Sequence, residues 1–514
     1  MNGAESLIRT AVSAGVEVCF ANPGTSEMPL VAALDSVAGM RPVLGLFEGV
    51  LSGAADGYGR MAEKPAMTLF HLGPGFGNGI ANFHNARRAR SPIVNLIGDQ
   101  ATWHRRYDAP LTSDIESLAR PVSGWFRENR SAETLSHDVA EAIAAATTKP
   151  GCVATLTVPT DCQWDPVGDA ASPQLVPKAP TVTIEAVEKA CAAVTSEGTT
   201  MLIAGGYATR RRGLEAIGRI AAQVGCRLAV ETFSTRLERG PGLPTLERVP
   251  YFPEAAEAFF EGVSHVVLCG ALDPVAFFGY PSRISRLVPD TLPCTTLAKP
   301  TDNIEQALED LAAALDAPAS VGTPNRPAPQ LPTGDLSLDA VGQAIAALQP
   351  EGAIVVDEGI TSVGRYLPAS VGCPDHSLLS LTGGAIGWGL PCATGAAIAC
   401  PDRKVIALEG DGSGMYTVQS LWTQARENLD VVNLVFANDI YRILQIELHR
   451  AGVDNPGPNS LALTDLSEPA IDWTSLSKSL GVPAARVETA DQLVEELGKG
   501  IAEPGPCLIE VRMP

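Results

Sequence analysis

An aspartate framed by glycines, Glu409-Gly410-Asp411-Gly412-Ser413, is followed by Asn438-Asp439-Ile440, with Asn438 lying 27 positions after Asp411. Apolar runs deliver both segments, 405–408 to the first and 431–436 to the second. Each run reads as a buried strand, which places Asp411 and Asn438 at neighbouring strand ends, where open parallel sheets bind ligands. A carboxylate, a carboxamide oxygen and a backbone carbonyl near Ile440 are hard oxygen ligands. They suit octahedral Mg²⁺, whose shell a few protein ligands share with phosphate and water. Gly410 and Gly412 allow backbone N–H groups to approach a diphosphate, and the segment 413–426 offers it a helix N-terminus. The plain alternative for such a segment is a tight strand-to-helix turn with no metal.

A second set of motifs lies near the N-terminus: Asn22-Pro23-Gly24-Thr25-Ser26-Glu27, Leu46-Phe47-Glu48-Gly49, Ala54-Ala55-Asp56-Gly57-Tyr58-Gly59-Arg60 and His71-Leu72-Gly73-Pro74-Gly75. Glu48 follows an apolar run and sits at a strand end. His71 follows Met67-Thr-Leu-Phe at another strand end, and an imidazole titrates near working pH, so it is the best acid–base candidate. Against these stand ordinary readings: a solvated loop acid for Glu48, a backbone-bonded histidine for His71, and turn formers for Thr25 and Ser26.

The elements that must position these residues follow from the rest of the 514-residue chain. About three domains is the expectation for that length. Two Pro-rich stretches of linker composition, 166–180 and 317–334, divide it into 1–165, 178–318 and 335–514. Within each segment short apolar runs alternate with helical patterns; the candidate strands are 67–71, 93–97, 153–158, 201–204, 228–231, 265–268, 353–357, 405–408, 431–436 and 508–511. Runs that are apolar throughout are what parallel strands covered on both faces look like. The predicted class is therefore α/β, with three doubly wound parallel-sheet domains. A net charge of −21 argues against nucleic acid and against an anionic membrane surface. No apolar run approaches about 18 residues, and Met1-Asn-Gly-Ala-Glu-Ser has no signal-peptide character. The 11 cysteines form no CxxC pair and read as reduced thiols of a cytoplasmic protein.

Together with Thr382-Gly383-Gly384-Ala385-Ile386-Gly387-Trp388-Gly389-Leu390-Pro391, these motifs resemble the thiamine diphosphate-dependent 2-oxo acid decarboxylase and acetolactate synthase family across essentially the whole chain. The run Tyr441-Arg-Ile-Leu-Gln-Ile-Glu is similar to acetolactate synthase large subunits, and the spacing of the N-terminal motifs to benzoylformate decarboxylase. The resemblance implies a pyrimidine-binding domain, a middle domain and a diphosphate-binding domain. It also implies a homodimer or homotetramer with active sites at the subunit interface.

Residue by residue, the resemblance places the carboxyl of Glu48 against the pyrimidine N1′ of thiamine diphosphate and Ile386 beneath the bend of the folded cofactor. Mg²⁺ falls to Asp411, Asn438 and Ile440. Further cofactor contacts fall to Pro23, Gly24, Glu358, Gly384, Gly410, Gly412, Ser413 and Tyr441. Thr25, Ser26, His71, Ile443 and Glu447 match substrate-side positions. The implied substrate is a 2-oxo acid, with an aldehyde or ketone as acceptor if the product is ligated. One departure stands out: around Pro274-Val-Ala-Phe277-Phe278-Gly-Tyr280 the chain lacks the second histidine of benzoylformate decarboxylase and offers an aromatic wall instead. That shifts the expectation toward an acetolactate synthase-like carboligase (a transferase), with a simple decarboxylase (a lyase) as alternative. A thiamine diphosphate-binding regulatory protein of low activity is the reading from another class. The segment Gly205-Gly206-Tyr207 with Arg210, Arg211 and Arg212 could meet a nucleotide diphosphate or be a charged helix start, and FAD is not expected.

Overall fold

The computed structural model describes residues 1–281, 283–322 and 326–513. The N-terminal strands are β1 (Val18–Asn22), β2 (Arg41–Leu44), β3 (Ala66–His71), β4 (Ile93–Asp99), β5 (Trp125–Glu128) and β6 (Val153–Pro159). They form one sheet in the order β2-β1-β3-β4-β6-β5, parallel throughout. The order reverses direction at β1 and β3, which opens a crevice beyond their C-terminal ends.

The middle segment holds β7 (Thr199–Ala204), β8 (Arg227–Val230), β9 (Leu237–Arg239), β10 (Glu247–Arg248), β11 (Val263–Cys269) and β12 (Cys294–Ala298). Five of them form a parallel sheet in the order β10-β8-β7-β11-β12. The C-terminal strands are β13 (Ala353–Glu358), β14 (His376–Ser380), β15 (Val405–Gly410), β16 (Val431–Ala437), β17 (Ala484–Val487) and β18 (Cys507–Arg512). Here β17-β18-β16-β15-β13 run parallel. β14 and β9 pair with each other antiparallel. The class is thus α/β with three doubly wound sheets, as expected, and β9–β14 is an antiparallel addition that was not.

Contacts divide the chain into two units, 1–176 with 329–370 and 381–514, and 177–328 with 371–380. Neither a helix nor a strand lies between Trp164 and Ile184, nor, among the described residues, between Ala314 and Leu338. Within the first unit the helix Glu48–Ala62 packs on the helix Gly389–Ala399 at backbone contact distance. A methyl group at Gly57 would overlap the carbonyl of Cys392, and one at Gly395 that of Ala54. Thirteen residues of the first helix are buried, Asp56 and Arg60 among them. Among the described residues no helix is long and apolar enough to cross a membrane.

Candidate active site

β15 and β16 lie side by side with Gly410 opposite Phe436, so Asp411 and Asn438 leave the same sheet edge. The Asp411 carboxylate ties the two loops together. One oxygen accepts the N–H of Asn438 at 3.0 Å and of Asp439 at 2.7 Å. The other accepts the N–H of Gly412 at 2.8 Å. Burial pushes this carboxyl above its usual range, opposed by those three N–H groups. A carboxylate offers about four lone-pair directions, so roughly one is left for a cation. Asn438 Oδ1 accepts the N–H of Ile440 at 3.1 Å, and the Ile440 carbonyl accepts the N–H of Arg442 at 3.0 Å. Asp439, in the left-handed region at φ 55°, is gripped by the Arg512 guanidinium through bonds of 3.1 and 2.5 Å. Hydrogen-bonded hard oxygens of this kind fit Mg²⁺. Among the described residues no group of three or more His, Cys, Asp and Glu stands in metal-holding range, so the mixed donor set is the better candidate.

Two sequence expectations for this loop change. The Gly410 N–H is donated to Glu409 at 3.1 Å and the Gly412 N–H to Asp411, so neither points outward to a diphosphate in this structure. The segment 413–426 is not one helix: a short turn of helix, Asp411–Gly414, ends before a second helix begins at Ser420. Glycines at 412 and 414 carry poor helix propensity and let the chain bend. The Tyr441 ring packs on Gly412, where a methyl group would overlap it, with its hydroxyl 3.4 Å from the Gly412 carbonyl.

Beneath the loop lies a buried carboxyl pair. Glu358, the last residue of β13, and Glu409, the last but one of β15, lie opposite each other, 1% and 0% exposed. Burial raises both carboxyls, and the neighbouring Glu358 raises Glu409 further. Ser413 donates its hydroxyl to Glu409. Glu358 accepts the N–H groups of Gly387 at 2.8 Å, Trp388 at 2.7 Å and Gly389. The resemblance assigned it to the cofactor; its carboxylate is spent on the turn that carries Ile386. In that turn Gly384 and Gly387 take φ of 76° and 88°, and Ile386 is half-buried.

A second cluster forms in the N-terminal sheet. β1 and β3 pair with Asn22 opposite Phe70, which brings the Gly24 turn against His71, the last residue of β3. His71 Nδ1 lies 2.8 Å from the carboxylate of Glu27. That carboxylate also accepts the Gly24 N–H at 2.7 Å and the Ser26 hydroxyl at 2.8 Å. Glu27 is fully buried; a methyl group at Gly98 would overlap it, and one at Gly24 would overlap the His71 ring. A carboxylate only accepts, so the neutral imidazole carries its proton on Nδ1 and presents Nε2 as the acceptor. Ser26 donates within the cluster, whereas Thr25 is exposed. Glu27 has no role in the sequence reading, although it stands three residues beyond the Gly24 turn.

Glu48 opens the helix Glu48–Ala62, where the helix dipole favours an anion. Its carboxylate accepts Asn78 Nδ2 at 3.0 Å, and Gly75 leaves room beside it. Pro23 and Gly24 are half-buried at the adjoining turn. The chain therefore presents two clusters, and Glu48 and His71 share no hydrogen-bond partner with Asp411 or Asn438. Ile443 and Glu447 stand one turn apart on the helix Arg442–Arg450, which buries none of its residues. In the middle segment the Phe277 ring lies tilted against Tyr251 and edge-on to Phe233, with centroids at 5.2 and 5.7 Å. Arg211 pairs with Asp375 at 2.6 Å, Arg212 with Glu305 at 3.5 Å, and Arg210 donates to the Arg236 carbonyl at 2.7 Å. These arginines serve the unit's own structure.

Comparisons with known proteins agree with this architecture. Residues 1–118 match the thiamine pyrophosphate enzyme, N-terminal TPP binding domain, and residues 359–511 the C-terminal TPP binding domain. A Mycobacterium tuberculosis protein with the provisional name acetolactate synthase large subunit IlvX is 50% identical over 519 residues, covering 100% of this chain and 99% of its own. Benzoylformate decarboxylase of Pseudomonas aeruginosa is 28% identical over 538 residues, covering 97% of this chain and 96% of its own. The solved thiamine diphosphate-dependent 4-hydroxybenzoylformate decarboxylase of Rhodococcus jostii RHA1 superposes with a TM-score of 0.87 at 22% identity, covering 100% and 99% of the two chains, a likeness of fold. With both cofactor-binding domains matched and a full-length relative at half identity, the chain belongs to the thiamine pyrophosphate enzyme family.

Proposed function

We propose that the protein is a thiamine diphosphate- and Mg²⁺-dependent enzyme that decarboxylates a 2-oxo acid and joins the product to a second carbonyl compound. The observation that carries this reading is the pair of hard-oxygen donors, Asp411 and Asn438, at adjacent strand ends. The full-length likeness to a protein named for acetolactate synthase supports ligation over simple release. Thiamine diphosphate would supply a nucleophilic thiazolium carbon for the 2-oxo group and, in its cationic ring, a sink for the electron pair left when CO₂ departs.

The chain's own residues bind, orient and move protons. Asp411, Asn438 and the Ile440 carbonyl would hold Mg²⁺ together with the diphosphate. Glu48 holds a proton at the pyrimidine nitrogen. Ile386 would pack against the cofactor from the glycine-rich turn. His71, its Nδ1 fixed by Glu27, offers Nε2 to give or take a proton on the substrate side. The Glu48 cluster of one subunit and the Asp411 cluster of another make one site in a homodimer or homotetramer.

A specific observation also favours simple decarboxylation: the Glu27–His71 pair is an acid–base device whose Nε2, once it has taken up a proton, can return it to a product released as an aldehyde. Product analysis decides. The protein is incubated with thiamine diphosphate, Mg²⁺ and pyruvate, benzoylformate or a longer 2-oxo acid, with and without an aldehyde acceptor. Ligated hydroxy ketone or acetohydroxy acid supports the first reading, and aldehyde alone the second. No CO₂ from any 2-oxo acid would reject both.

A further inference from the structure

The turn that carries Ile386 is glycine-rich. With Gly384 and Gly387 both in the left-handed region, it has no strong preference of its own for one shape. Its shape must come from its neighbours, and two buried carboxylates from different elements converge on one residue in it. From β13, Glu358 receives three successive N–H groups, including that of Trp388 at 2.7 Å. From the helix Glu48–Ala62, Asp56 receives the indole N–H of Trp388 at 2.6 Å. Asp56 is itself held by Arg60 through bonds of 2.9 and 2.6 Å and by the Ser91 hydroxyl. The Arg60 guanidinium lies 4.6 Å over the Trp388 ring and donates to Thr382 at 3.1 Å.

None of Asp56, Arg60, Glu358 and Trp388 is more than 2% exposed. Buried charge is costly to desolvate and is weak evidence for stability; its best-attested use is to select one arrangement among several. Here the arrangement selected is that of a turn, with Trp388 pinned through its backbone and its side chain at once.

We propose that Glu358 and Asp56 are positioning residues that act through Trp388 to fix the glycine-rich turn, and with it the placement of Ile386 in the cofactor site. The inference rests on the reading of Ile386 given above. Its test separates the two by using the cofactor-free protein first.

Amide hydrogen exchange of the peptide spanning 383–390 is followed by mass spectrometry in the wild type, Glu358→Gln and Trp388→Phe. The glutamine turns an NH₂ group toward N–H donors, and the phenylalanine keeps the ring while deleting the bond to Asp56. Exchange in this peptide should accelerate at least about tenfold in each variant that folds, because opening of the turn becomes local. If Glu358→Gln does not fold, Trp388→Phe decides alone. In the loaded enzyme, kcat should fall by about ten- to a hundredfold, the cost of misplacing a group by about 1 Å. The affinity for thiamine diphosphate and Mg²⁺, set at the Asp411 loop, should change by less than about threefold. Unchanged exchange in the folded variants would overturn the inference, as would accelerated exchange with undiminished kcat. Failure of the wild type to bind thiamine diphosphate would instead reject the functional reading, with the exchange result still deciding whether the turn is held as described.

Discussion

Replacing Asp411 by alanine removes two functions at once, and the structure separates their sizes. The carboxylate accepts three backbone N–H groups, from Gly412, Asn438 and Asp439, at 2.8, 3.0 and 2.7 Å. Hydrogen bonds to a charged acceptor contribute about 1.5–3 kcal/mol each, and such terms do not add in full. The three N–H groups lie at a loop edge where water can reach some of them once the side chain is gone. We therefore expect the cofactor-free variant to lose roughly 3 kcal/mol, read as a lowered midpoint in denaturant. Loss of the metal is the second effect. With the carboxylate gone, Asn438 and a carbonyl remain against a doubly charged cation and a polyanionic diphosphate, and calorimetry should find no saturable uptake of thiamine diphosphate with Mg²⁺. Asp411→Asn tests the same point with less disruption: its amide accepts through one atom only and carries no charge, so stability should fall less while binding is still lost. An alanine variant as stable as the wild type and binding the cofactor with wild-type affinity would refute the reasoning, leaving the segment a turn and nothing more.

Three further outcomes follow from the same geometry. Glu27→Gln should keep thiamine diphosphate affinity but lower turnover by about 10² to 10⁴-fold, since an amide no longer enforces the proton on His71 Nδ1; normal turnover in steady-state assays would contradict this. His71→Ala should leave cofactor binding intact and shift the remaining product from aldehyde toward ligation, and an unchanged product ratio would return His71 to a structural role. His376 donates Nδ1–H to the Pro374 carbonyl at 2.8 Å, its Nε2 has no hydrogen-bond partner among the described residues, and burial pushes its value from the ordinary 6.5 down to about 4. The fold therefore keeps it neutral while the unfolded chain takes up a proton. Its contribution is present above about pH 6.5 and is lost as pH falls toward 4, by up to roughly 3 kcal/mol. Melting curves between pH 7.5 and 4.5 should fall more steeply for the wild type than for His376→Gln, and parallel curves would contradict the assignment.

Much of the framework could be read from the chain because its central strands are buried on both faces. All ten candidate strands coincide with observed ones, and 405–408 and 431–436 deliver Asp411 and Asn438 as expected. Strands that escaped detection are mostly short or at sheet edges. β5 is half-buried at every position, β10 has two residues, and mixed exposure erases the apolar run that marks a strand. Contacts between distant segments were the other blind spot. Glu27 and His71 meet only because β1 and β3 are neighbours, and Glu358 and Glu409 only because β13 and β15 are; no local pattern announces either pairing. The same applies to Asp56 and Trp388, whose bond depends on two helices packed at backbone distance. Local motifs named the positions, while the topology decided which side chains those positions serve: the turn carrying Ile386 for Glu358, and the imidazole for Glu27.

The most direct test of the central claim is the exchange of the C2 hydrogen of bound thiamine diphosphate for deuterium, followed by rapid quench and proton NMR in the presence of Mg²⁺. The wild type should exchange it far faster than the free cofactor, and Glu48→Gln should slow that exchange by on the order of 10²-fold or more, the usual size of a lost proton-transfer partner. Exchange in the wild type no faster than in free solution, or a glutamine variant as fast as the wild type, would contradict the account.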